Sequence, residues 1–123
     1  MEENGLIAKW MKFVDGGNYW ATNHKWPYIH PSNGHRFYPG ELDFDRSWDW
    51  IMGVVEKIEE LGYGTSIYRV WNKSYTHSFT IFDRGQQTKV YGRGVSNENK
   101  LQAVYHGVVE FIKWHNSQNE NKL

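Results

Sequence analysis

The chain of 123 residues contains no cysteine, so disulfide frameworks, thiolate zinc sites and cysteine nucleophiles are all excluded. It has no run of about 18 apolar residues, the length that spans a bilayer as a helix. Net charge is absent too: 14 basic residues balance 14 acidic ones. Such a chain has no global field to gather duplex nucleic acid or an anionic membrane, so duplex binding and membrane association are not expected. The opening Met1-Glu2-Glu3-Asn4 is acidic and no apolar segment follows, which predicts a cytoplasmic protein without a secretory signal. Proline is scarce, and its three copies (Pro27, Pro31, Pro39) all fall in one stretch.

What the sequence has in excess is aromatic side chains, 17% of all residues with 7 Trp among them. Rings serve core, interface and ligand stacking alike. A single domain of this length buries about two thirds of its unfolded surface, enough for one core without staples.

Hydrophobic periodicity divides the chain into regions. Leu6, Ile7, Trp10, Met11 and Val14 form one helical stripe over 3–14, stopped by Asp15-Gly16-Gly17. An insert over about 15–45 is irregular and aromatic-rich, and its length predicts a short strand near Tyr19–Thr22 or Arg36–Tyr38. A second helix over 46–61 carries Trp48, Ile51, Val55 and Ile58, widened by Trp50, Val54 and Leu61. Asp45 or Ser47 can cap it, and Gly62 stands at its C′ position. Residues 65–92 read as an antiparallel meander. Its strands are Thr65–Trp71, Tyr75–Phe82 and about Thr88–Tyr91, its turns are Asn72-Lys73-Ser74 and Asp83-Arg84-Gly85-Gln86, and Gly92 and Gly94 end it. A last helix over 97–116 has Leu101, Val104, Tyr105, Val108, Phe111 and Ile112 on its apolar face and Ser96 or Asn97 as cap. A polar tail over 117–123 is expected to fray. The order helix–insert–helix–three strands–helix predicts one α+β domain over 1–123, with an antiparallel sheet of three to five strands flanked by helices.

The segment from Glu41 through Glu59, with its Leu42-Asp43-Phe44-Asp45-Arg46-Ser47-Trp48 core, resembles a block common in small phage and prophage proteins of Bacteroidetes. So do Leu101–Asn116 and the opening Asn4–Met11. Gly53 stands where that block has proline. The likeness covers the first and middle helices and residues 60–116, leaving the insert outside, and it points to the phage ABA-sandwich group. The resemblance implies a layered α/β fold and an accessory role, such as blunting host defence by binding a host protein or sequestering a small nucleotide-like ligand. It carries no catalytic residues and no cofactor.

Candidate chemistry is sparse. His24, His30 and His35 share the insert with Asp43 and Asp45 nearby. Imidazoles and carboxylates can hold a divalent metal, but no HExxH or HxH spacing orients these, and surface histidines on a polar loop are the simpler account. No GxSxG elbow is present for nucleophilic hydrolysis. Glu41, Asp43, Asp45 and Asp49 lie at a helix start, where acids complement the dipole without catalysis. Gly92-Arg93-Gly94-Val95-Ser96 precedes a helix and could offer N–H groups to an anion with help from Arg93, although a strand-to-helix turn with a capping serine is the simpler account. Trp26, Tyr28, Arg36, Arg69 and Trp71, with Arg93 and Ser96, are the candidate ligand contacts, pairing rings for stacking with guanidiniums for phosphate. Anchoring to the core, or a homo-oligomer interface, are competing uses of the same rings. The reading is therefore a non-catalytic accessory protein that binds a host factor or nucleotide-like ligand as a homo-oligomer. A small metal-dependent hydrolase or a phage assembly component are the alternatives.

Overall fold

A computed structural model describes residues 2–12, 14–15, 28–29, 36–37, 41–70 and 77–121. Among the described residues the fold is α+β, with three helices and two three-stranded antiparallel sheets, the larger of them in the second of two units. It divides into two compact units, Met1–Asp43 and Phe44–Leu123. No described helix is long and apolar enough to cross a membrane.

In the first unit α1 spans Glu2–Trp10. Ile7 and Ala8 are fully buried, and buried Asn4 donates its side-chain amide to the Leu42 carbonyl at 2.9 Å. The helix ends earlier than the glycine pair predicts. Lys12 takes φ 71 and donates its N–H to the Lys9 carbonyl, closing the last turn without glycine. Val14 therefore leaves the helical stripe and enters β1 (Val14–Asp15), which pairs with β2 (Tyr28–Ile29), itself paired with β3 (Arg36–Phe37). The strand expected near Arg36 is present. Tyr19–Thr22 lies outside the described residues.

The second unit begins with α2 (Trp48–Glu60). Ile51, Val54, Val55 and Ile58 are buried, as their spacing requires, while Trp48 and Leu61 at the two ends are 42% and 48% exposed. Those two extend the apolar stripe in sequence but not in burial, because they lie where the helix outruns its packing. Ser47 is the N-cap residue, through its carbonyl rather than its hydroxyl. Gly62 adopts φ 104, the left-handed geometry of a C′ residue.

The sheet has the order β4-β5-β6, with β4 at Tyr63–Arg69, β5 at His77–Asp83 and β6 at Gln86–Ser96. Directly opposed residues share a face. One face holds Thr65 and Ile67, Phe79 and Ile81, and Gly92 and Gly94; the other holds Ser66 and Tyr68, Ser78 and Thr80, and Arg93 and Val95. Helix α3 (Lys100–Asn121) covers the first face. By alternation the hydroxyl side of β5 should be its wet side, yet Ser78 and Thr80 are 2% and 6% exposed. Ser78 stands between Tyr68 and Val95 in the register, and Thr80 between Ser66 and Arg93. At the far end of β4, Ile67 and Tyr68 point to opposite faces and are both 39% exposed, so neither face is covered there.

Two boundaries differ from the sequence pattern. Gly92 and Gly94 do not end the third strand but lie inside it, because they are the seat of α3. A Cβ on Gly94 would overlap the Ala103 carbonyl oxygen and the Gly107 nitrogen, and one on Gly92 would come within 2.7 Å of the Gly107 carbonyl oxygen. Gly107 completes the crossing on the helix side, against the Phe79 ring. The last helix also extends to Asn121, beyond the 97–116 of its apolar pattern, through a polar end that contains no glycine or proline.

Candidate functional site

The turn from β6 into α3 is tightly braced. Ser96 Oγ accepts from the Glu98 N–H at 3.0 Å and the Asn99 N–H at 3.4 Å, and donates to Gln102 Oε1 at 2.6 Å. Asn99, not Ser96 or Asn97, caps the helix: its Oδ1 accepts from the Gln102 N–H at 2.8 Å. Ser96 is 7% exposed, and its hydroxyl is committed to this turn. The register sets Arg69, His77 and Ser96 in one row across the sheet. His77 Nδ1 in that row is buried without a hydrogen-bond partner.

Arg93 lies three rows away. It is exposed on β6 beside exposed Val95, on the face opposite α3. Here the outer flank of β6 and the exposed flank of α3 form an open groove of about 840 Å³. Val90, Arg93 and Val95 line one side. His106, Glu110 and Lys113 line the other, spaced four and three residues apart so that they form one stripe along the helix. The glycine seat brings this stripe close to the strand edge. With a side chain at position 94 the helix would have to stand farther off.

The groove is closed at one end by rings. The register advances one residue on β5 but two on β6 between the pairs Ile81↔Gly92 and Phe82↔Val90, so Tyr91 is the extra residue of a bulge. Its ring stacks on Trp114 at 4.3 Å and meets Tyr63 edge-on at 5.3 Å, and Tyr63 meets Phe111 edge-on at 5.0 Å. Tyr91 also donates its hydroxyl to Asp83 at 3.2 Å. Burial, then Tyr91 and Asp83 nearby, raises the Tyr63 pKa above its ordinary 10.0. Part of the aromatic excess is thus a structural cluster anchoring α3 to the sheet.

Of the candidate ligand contacts, the structure places Arg69 at the end of β4, Arg93 in the groove and Ser96 in the helix-capping turn. Tyr28 and Arg36 belong to the β2 and β3 backbone. Trp26, Trp71, His24, His30 and His35 lie outside the described residues. Among the described residues no three histidine, aspartate or glutamate side chains are grouped to hold a metal ion. The sequence reading missed the α3 stripe. Three polar residues opposite an apolar face look like ordinary solvated surface until the strand beside them is known.

No protein-family model, curated protein or solved structure matches the chain.

Proposed function

We propose that the chain is a non-catalytic accessory protein that works by binding, and that the groove between β6 and α3 is its binding surface. The observation that carries this reading is the concave junction of a sheet edge with a charged helical stripe, lined by exposed Val90, Arg93 and Val95. Small-molecule sites bury most of their ligand's surface. This groove lies open along its length, which favours a protein partner over a nucleotide-like ligand. In the phage-type setting that the sequence resemblance implies, that partner is a host protein.

A photo-crosslinking amino acid placed at Arg93, at Val95 or, as a control, at exposed Glu56 on α2 tests the proposal. Each protein is irradiated with the protein fraction of a host extract and, separately, with its small-molecule filtrate. Adducts of one discrete protein mass at 93 and 95, absent at 56, are the expected result. Adducts from the filtrate alone, or equal labelling at all three positions, overturn it.

A further inference from the structure

We infer that the groove receives an extended, acidic segment of a partner protein, which pairs its backbone with the outer edge of β6. This inference rests on the groove being the binding surface.

Among the described residues β6 is paired only with β5, and none of them pairs with the backbone N–H and C=O groups of its other edge. Proteins ordinarily blunt such an edge with proline, brevity, bulges or cover. β6 has eleven residues and no proline, and its register with β5 is unbroken from Gly92 to Ser96. The bulge at Tyr91 ends the regular template on one side, and the capping turn at Ser96 ends it on the other. Each residue of an added strand advances about 3.3 Å, so the regular part of the edge takes a segment of about five residues. Side chains of that segment alternate between two environments. One set lies beside Arg93 and Val95, and the other lies beneath His106, Glu110 and Lys113. The first environment suits a carboxylate next to an apolar residue. Across the whole groove Arg93 and Lys113 outnumber the single carboxylate, Glu110.

A second copy of β6 fits this edge poorly. Antiparallel self-pairing centred on Arg93 opposes two guanidiniums. Centring on Gly92 runs into the Tyr91 bulge, and centring on Gly94 sets each Arg93 against Val95. None of these registers gives Arg93 an anion.

The test selects short peptides from a randomised library on the full-length chain, then varies the winners' backbones. Selected peptides are expected to share a carboxylate with apolar residues at alternate positions. Methylating alternate amide nitrogens should weaken binding by at least about tenfold, while methylating the intervening ones should not. Arg93→Glu, at an exposed position, should leave thermal stability unchanged and move the selection from acidic to basic residues. Peptides indifferent to N-methylation overturn strand pairing. If crosslinks at 93 and 95 persist in that case, the groove remains the binding surface and only the strand-pairing inference fails. An empty selection overturns the inference, as does sedimentation of the chain as a dimer that Arg93→Glu dissociates.

Discussion

Replacing Gly94 by alanine isolates the contact on which the second unit's layer packing depends. The new methyl group would overlap backbone atoms, the Ala103 carbonyl oxygen and the Gly107 nitrogen, which cannot rotate away as a side chain can. Relief requires α3 to lift from β6, loosening Phe79, Phe111 and Val108, all fully buried. Overpacking of a core costs about 1–3 kcal/mol, and a backbone clash belongs at the upper end. Alanine also restricts the unfolded chain, which returns about 0.4–1 kcal/mol. The net loss is about 2 kcal/mol, and for a unit of this size each kcal/mol moves the melting midpoint by about 4–8 °C. Thermal melting followed by near-ultraviolet circular dichroism should therefore show Tm falling by about 8–16 °C. Gly53 is the control. It lies inside α2, where an added methyl group would find nothing within 4 Å, so Gly53→Ala should stabilise by about 0.5–1 kcal/mol. If Gly94→Ala melts at or above the unsubstituted protein, α3 is not seated on β6 by backbone contact, and the reasoning fails.

Three further outcomes are expected. Asn99→Ala removes the side-chain acceptor for the Gln102 N–H and should cost about 1 kcal/mol in urea denaturation, while Asn99→Asp should retain most of it. Tyr63 has a raised pKa, so its contribution is complete below pH 10.0, where both folded and unfolded chains are protonated. It is lost above that pH as the unfolded phenol ionises first. Tyr63→Phe should therefore flatten the decline in stability above pH 10.0, measured by denaturation across alkaline pH. Arg84 donates to the Glu59 carbonyl at 3.0 Å and the Tyr63 carbonyl at 3.2 Å; Arg84→Ala should cost about 1 kcal/mol and speed amide exchange around the end of α2.

The sequence is legible where one face of an element is apolar and the other is not. Ile51, Val54, Val55 and Ile58 announce α2 by helical spacing, and Phe79 and Ile81 announce β5 by alternating with the hydroxyl residues Ser78 and Thr80. The Asp83–Gln86 turn is equally plain, and the Gly85 N–H donates to the Asp83 carboxylate as the turn chemistry predicts. Gly92 and Gly94 mislead, since a glycine that admits a helix backbone has the same letter as one that ends a strand. Lys12 misleads in the opposite direction, taking a left-handed conformation that its side chain does not advertise. Arg93 was visible as a candidate. Its neighbours His106, Glu110 and Lys113 were not, because their meaning depends on which strand the helix crosses.

The seat and the groove follow from the same choice of residues. Alternate positions of β6 are glycine on the helix side and Arg93 and Val95 on the other, so the strand gives its covered face to α3 and its remaining side chains to the groove. A larger residue at 92 or 94 would disturb both, whereas substitution at 93 or 95 leaves the seat intact. Stability and binding should therefore separate by alternation along a single strand. Changes at Gly92 and Gly94 should lower Tm and weaken binding together, while changes at exposed Arg93 and Val95 should alter binding at constant Tm. Loss of stability from Arg93→Glu comparable to that from Gly94→Ala would mean that the outer face of β6 is committed to the protein's own packing, and the groove could not then be its binding surface.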